Sequence, residues 1–286
     1  MSERRRAARW VRRGVVSLFA MIAIGYGLFA GALWLGQDSM IFPRSAGRSS
    51  ARALPSTGER IWYTATDGRK IEAWYFKGKG RGAESPGPLL VCFHGNADFI
   101  ENWSWFAETC QREGFNVLLP EFRGYGRSEG EPSEKAIVAD SAAMIRIATA
   151  RPEIDKGKII LLGRSLGGGI ACGVGEQIAP AAMILECTFE SLAAMADGYH
   201  VPRWLVRHPF RNDEALGRIK APVLLAHGEH DRIIPIAHSE ALKRVRPDAE
   251  LIRLDCDHND LPGKDEGRYR VEFEKFLRSR GLWPEG

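Results

Sequence analysis

Short apolar runs recur along most of the chain, at residues 89–93, 115–119, 158–162, 182–187, 223–226 and 250–254. Strands that are apolar on both faces belong to a sheet covered on both sides, which is the habit of parallel sheets. Between these runs lie longer stretches with helical spacing, at 103–112, 133–150, 166–178, 238–245 and 271–280, and Ser133 stands where an N-cap belongs. Strand and helix in regular alternation predict an α/β domain whose parallel sheet is flanked by helices. Two β-rich runs upstream, 61–64 and 71–76, are separated by Asp67-Gly68, a hairpin signal. Residues 77–88 read as a Gly- and Pro-rich loop. The stretch 189–220 breaks the alternation and carries Pro202, Trp204 and Pro209. Its length suits a short lid, about residues 190–220, of one or two helices and not a separate domain.

The N-terminal end has a different pattern. Residues 15–36 are 22 positions without a charge. As a helix they would span about 33 Å, enough for the hydrocarbon core of a bilayer. Six arginines and one acid precede the run, and Asp38 follows it. That asymmetry predicts a single-pass membrane protein with its N-terminus cytoplasmic and its globular domain extracytoplasmic, periplasmic or luminal. Trp10 and Trp34 flank the run as interface aromatics. The rival reading is a cleaved signal peptide with Ala30-Gly31-Ala32 as its cleavage box, but an apolar run this long exceeds the usual signal core. The chain thus divides into a basic tip (1–14), a transmembrane anchor (15–36), a linker (37–58) with Met40-Ile41-Phe42 as its apolar foothold, and the α/β domain (59–286).

Charge then changes the picture. The net charge of +4 belongs to the arginine-rich tip, and the rest of the chain is close to neutral. Nucleic-acid binding by the domain is therefore not expected. The five cysteines include no C-x-x-C and are odd in number, so buried free thiols are expected and no pairing can be assigned.

The most informative string is GRSLGGG, residues 163–169, between an apolar strand and a small-residue helix. In that context G-x-S-x-G is a nucleophile elbow, with Ser165 at the tip of a strained turn. A flexible turn before a helix is the plainer alternative. A serine hydroxyl needs a base, and the base an orienting acid. Asp231, in the turn after the strand at 223–226, is the candidate acid, with Glu229 and Asp213 as weaker rivals. His258, just past the last strand, is the candidate base. Phe93-His94-Gly95-Asn96 closes another strand, and the backbone N–H groups of Asn96 and Leu166 are the candidate oxyanion donors. His94 fits a brace for that loop better than a base. His200 and His208 lack metal-ligand spacing and read as surface or lid histidines.

With these motifs in this order the chain resembles the α/β-hydrolase superfamily. Within it, the chain is similar to membrane-anchored serine hydrolases related to the α/β-hydrolase-domain depalmitoylases. The matching pieces are QDSMIFPR after the anchor, FHGNA, EFRGYGRSEG, GRSLGGG, HGEHDRIIP and HNDL. The resemblance implies an eight-stranded, mostly parallel sheet and neither a metal nor an organic cofactor. It implies Ser165, Asp231 and His258 as the catalytic triad, with Asn96 and Leu166 at the oxyanion hole. The expected activity is a serine hydrolase acting on an ester or thioester, a small molecule or an acylated substrate, through an acyl-serine. An aminopeptidase- or amidase-like activity, or a catalytically silent membrane-tethered interaction protein, would use the same fold. Two departures stand out. Asp255-Cys256-Asp257 precedes the base where many relatives have small residues, and a helical span replaces the cysteine-rich lipidation motif of some depalmitoylases. Depalmitoylation is therefore not carried over. Arg123 and Arg127 could meet an anionic substrate or pair internally. Trp103, Trp105 and Trp204 could line an apolar pocket, though packing is the simpler role.

Overall fold

The computed structural model describes residues 3–44, 53–261 and 263–285. The central sheet has eight strands: β1 (Gly58–Thr64), β2 (Lys70–Phe76), β3 (Gly87–Phe93), β4 (Asn116–Pro120), β5 (Ile154–Arg164), β6 (Ala182–Glu186), β7 (Val223–Gly228) and β8 (Glu250–Leu254). Their spatial order is β1-β2-β4-β3-β5-β6-β7-β8. Strand β2 runs against both of its neighbours, and the other pairings are parallel. The Asp67-Gly68 turn joins β1 to β2, with Gly68 at φ +81°, where a residue without Cβ is least strained.

Two helical layers cover the sheet. On one face lie α3 (Glu134–Ala148), α4 (Leu166–Ile178), α6 (Asn212–Arg218) and α7 (Ala237–Val245); on the other lie α2 (Ser104–Arg112) and α8 (Glu266–Arg278). The period of two is visible in the packing: Leu89, Val91 and Phe93 face the first layer, while Leu90 and Cys92 face the second. Ser133 caps α3 by accepting the Ala136 N–H at 3.2 Å. Residues 190–220, expected to form a lid, hold α5 (Leu192–Ala196), two short 3-10 turns and then α6.

The first helix, α1, runs from Glu3 to Ile41. Residues 37–41, expected to begin a linker, are its last turn. Gln-Asp-Ser-Met-Ile contains no helix breaker, and the helix stops before Pro43, whose ring disfavours helical backbone at Phe42. The remainder of the expected linker lies partly outside the described residues, at 45–52. Among the described residues Ala8–Ile41 is the one helical stretch long and apolar enough to cross a membrane. All five cysteines are free and buried, as expected from their odd number and the lack of a C-x-x-C.

Candidate active site

Strand β5 delivers the chain into a turn at Ser165, which stands at φ 55° and ψ −118° before α4 begins. A non-glycine residue held there carries backbone strain of about 1–3 kcal/mol, so its surroundings must fix it. They do so from β6 and the loop after it: the Ser165 N–H donates to the Glu186 carbonyl at 2.8 Å, and the Thr188 hydroxyl donates to the Ser165 carbonyl at 2.8 Å. The glycines explain how strand and helix come so close. A Cβ on Gly167 would stand 2.6 Å from the His94 carbonyl oxygen and closer still to that of Phe93. One on Gly163 would press into the Gly167 carbonyl.

Asp231 and His258 come from the turns after β7 and β8. These turns meet because Gly228 lacks a side chain, whose Cβ would strike the Cys256 carbonyl. The His230 N–H then reaches Cys256 at 3.1 Å. His258 Nδ1 stands 2.7 Å from Asp231 Oδ2, and its Nε2 stands 3.1 Å from Ser165 Oγ. A carboxylate only accepts, so Nδ1 carries the proton and Nε2 is left to accept from the serine hydroxyl. Asp231 is also the acceptor for the amides of Ile233 and Ile234, at 2.9 and 2.7 Å. Burial pushes its pKa up, yet the hydrogen bonds from His227, His258 and the Ile234 amide outweigh burial and hold the carboxyl well below the usual range. Its rivals lie elsewhere: Asp213 is in α6, and the Glu229 backbone merely joins the β7 turn to Leu254.

The loop after β3 completes the site. A Cβ on Gly95 would lie 3.7 Å from that of Ser165, so the loop packs directly against Ser165. Among the described residues the N–H groups of Asn96 and Leu166 have no protein acceptor, and both residues line the cavity over Ser165. His94 points away from that cavity. Its Nδ1 donates to the Gly95 carbonyl at 2.7 Å, and its Nε2 lies 2.7 Å from Glu121, both side chains being buried. Burial works against charge on this pair, but the adjacent carboxylate holds the His94 pKa above its ordinary value. The Tyr125 hydroxyl donates to the Asn96 carbonyl at 2.9 Å and fixes that peptide from the other side.

Several supporting residues escaped the sequence reading. His227 Nε2 donates to the Ile234 carbonyl at 2.7 Å and lies 3.3 Å from Asp231, so it clamps the turn that carries Asp231. Arg164 donates to the His258 carbonyl at 3.0 Å and tethers the loop of His258 to the end of β5. Its place beside Ser165 in GRSLG was the available signal; nothing local marked His227. Other expectations resolve plainly. Arg123 pairs with Asp140 and Asp67, and Arg127 with Glu72 and Glu101, so both arginines are engaged internally. Trp103 donates to Asp98, Trp105 is largely exposed, and Trp204 is 81% exposed; none lines the cavity. His208, read as a surface or lid histidine, lies in the 190–220 stretch and is buried between Phe42, Asp38 and the Glu134 amide. Asp257 accepts the amides of Arg232 and His258, and Asp255 accepts from His230.

Cys187, His227 and Asp231 offer ligand atoms within 4.8 Å of one another. The donor chemistry does not suit a cation. The His227 nitrogen nearest Asp231 carries the proton it gives to Ile234, and burial pushes the Cys187 thiol up, keeping it protonated.

The chain's similarities agree with this architecture. A family profile described as the α/β hydrolase fold matches residues 88–204. The uncharacterized protein Rv2307c of Mycobacterium tuberculosis is 31% identical over 272 residues, covering 92% of this chain and 94% of that protein. The α/β-hydrolase domain-containing protein WAV2 of Arabidopsis thaliana is 32% identical over 204 residues, covering 64% of this chain and 65% of its own length. Among solved structures, esterase 2 of Thermogutta terrifontis superposes with a TM-score of 0.67 at 16% identity, covering 84% of this chain and all of that one.

Proposed function

The chain belongs to the α/β-hydrolase family, and from that premise we propose that it is a membrane-anchored serine hydrolase cleaving carboxylic esters or thioesters through an acyl-serine intermediate. The observation that carries the reading is the imidazole of His258, set between the Ser165 hydroxyl at 3.1 Å and the Asp231 carboxylate at 2.7 Å. In this reading His258 Nε2 takes the proton as Ser165 Oγ attacks the substrate carbonyl. The tetrahedral oxyanion receives the backbone N–H groups of Asn96 and Leu166, each such donor being worth about 100–1000-fold in rate. His258 then gives its proton to the leaving alcohol or thiol. A water, deprotonated by the same nitrogen, attacks the acyl-serine and releases the acid. Asp231 holds the imidazole in its Nδ1–H tautomer and stabilises its charged form.

Anchoring is part of the proposal. Helix α1 spans the bilayer with the arginine-rich tip in the cytoplasm and the hydrolase domain on the opposite face. The supporting features are the arginines before the apolar run, Asp38 after it, and the bare outer side of the helix, where Leu28 and Leu35 are exposed. The proposed activity is tested with the full chain in detergent, on a panel of p-nitrophenyl esters, the matching thioesters and aminoacyl anilides. Ester or thioester cleavage that disappears in Ser165→Ala is expected. Turnover of the anilides alone would replace the esterase reading with an amidase. Ester turnover persisting in Ser165→Ala would refute the nucleophile.

A further inference from the structure

The anchor does more than leave the domain. Over its last four turns α1 lies against the lid. Tyr26 Oη donates to the His200 carbonyl at 3.1 Å. Gln37 bridges two lid peptides, donating to the Leu205 carbonyl at 3.3 Å and accepting the Arg207 N–H at 2.7 Å. Asp38 pairs with Arg207 at 3.0 Å and with His208 at 3.1 Å, and the Arg207 guanidinium lies over Trp34 at 5.2 Å. Phe42 is then buried against Phe210. Tyr26, Ala30, Leu33, Gln37 and Met40 recur at three- and four-residue steps, so one stripe of the helix faces the domain.

From Ala30 onward that stripe is a wall of the cavity over Ser165. The cavity measures about 1030 Å³, at the top of the range for small-molecule sites. The part of α1 lining it runs from Phe29 to Ile41, which is about 18 Å of helix. The lid supplies the facing wall with Leu192, Met195, Val201 and Leu205. Polar groups gather beside the nucleophile and base: Asn96, Asp98, Arg232 and Asn259. The cavity is thus apolar along α1 and the lid apart from Gln37, and its other polar groups come from the loops around Ser165 and His258. Residues 191–206 of the lid carry two formal charges, Asp197 and Arg203, and these neutralise each other at 2.5 Å. Such mutual pairing is how charged side chains are accommodated at membrane depth. Trp204 projects from the same lid, 81% exposed, next to the peptide held by Gln37 near the polar end of the span.

We propose that the docked half of α1 is part of the substrate site. The lid and α1 together form an acyl pocket open to the leaflet on the catalytic domain's side, and the substrate is a long-chain acyl ester or thioester resident in that leaflet. This inference rests on the serine-hydrolase reading and adds the substrate class and its route. A chain already in the bilayer passes between α1 and the lid without crossing water, and its carbonyl arrives where the polar groups surround Ser165.

The test uses the full chain reconstituted in phosphatidylcholine vesicles, with p-nitrophenyl acetate in solution and a fluorogenic long-chain ester dissolved in the bilayer. Ala30→Trp fills the cavity from the α1 side, Leu33→Ala enlarges it, and Leu28→Trp alters the bare side of the same helix. Fluorophosphonate labelling of each variant reports an intact nucleophile. Ala30→Trp should lower the ratio of long-chain to acetate kcat/KM by at least about tenfold. Leu33→Ala should move the preferred chain length upward, and Leu28→Trp should change neither. The wild type should cleave the long-chain ester faster when it shares the enzyme's vesicles than when it is supplied in separate ones. An unchanged ratio and chain-length profile in both cavity variants, or equal rates for shared and separate vesicles, would overturn the inference while leaving a serine hydrolase. Acetate cleavage surviving in Ser165→Ala would remove the reading beneath it as well.

Discussion

Substituting Gly167 by alanine tests whether the elbow's geometry is set by the close approach of α4 to β3. The new Cβ would sit 2.6 Å from the His94 carbonyl oxygen and closer to that of Phe93. Both are backbone atoms in a buried strand end, so no side chain can rotate away. Relief requires the start of α4 to move off the strand, and overpacking of this kind costs about 1–3 kcal/mol. With two backbone oxygens in the way the upper figure applies, about 3 kcal/mol. For a domain of this size that lowers Tm by about 6–12 °C. The same movement withdraws Ser165 from the Gly95-Asn96 loop, so fluorophosphonate labelling should slow as well. Gly217→Ala is the internal control: it lies in α6, the nearest atom to its Cβ would be Val245 Cγ1 at 3.8 Å, and its backbone is not left-handed. Replacing an unconstrained helical glycine should stabilise by about 0.5 kcal/mol. Opposite signs are expected from thermal melts of the full chain in detergent micelles. A Gly167→Ala protein that melts with the wild type and labels at the wild-type rate would refute the steric argument.

Asp231→Asn should lower kcat by about 10⁴-fold with little change in KM, because an amide no longer enforces the Nδ1–H tautomer of His258. The same substitution should flatten acid unfolding: the native Asp231 carboxyl lies below its unfolded value, so its contribution is present above about pH 4 and lost as the pH falls further. Urea melts from pH 7 to 3 on both proteins check the sign. Tyr125→Phe removes the hydrogen bond to the Asn96 carbonyl, worth about 1 kcal/mol, and should slow ester kcat roughly fivefold without moving KM. Iodoacetamide should leave the native protein unmodified at pH 8, since burial pushes Cys110 to about 12 and Cys256 to about 11; mass spectrometry should show five adducts after unfolding in urea.

What the sequence disclosed and what it hid have physical causes. Helix α4 and strand β8 have the bounds expected for them, Leu166–Ile178 and Glu250–Leu254, because turns bound both segments. Strand β5 begins at Ile154, four residues early, since its solvent-facing start, Asp155-Lys156-Gly157, carries no apolar signal. Helix α8 begins at Glu266 for a similar reason: charged exposed residues mask its first turn. Ser165, Asp231 and His258 were legible as a group because each follows a strand on the same sheet edge. The docking of α1 was not. Its partners, His200, Leu205 and Arg207, lie about 170 residues away, and no local periodicity records a pairing of that span. The burial of His208, read only as a surface or lid histidine, was hidden for the same reason, since it comes from Phe42 and Asp38 at the end of α1.

The central claim is that Ser165 is a hydroxyl made nucleophilic by His258 and Asp231. Peptide mapping of the full chain after reaction with a fluorophosphonate tests it most directly. One adduct is expected, on the peptide carrying Ser165, absent in Ser165→Ala and formed far more slowly in His258→Ala. An adduct on any other residue, or labelling of Ser165 at the wild-type rate in His258→Ala, would contradict the account.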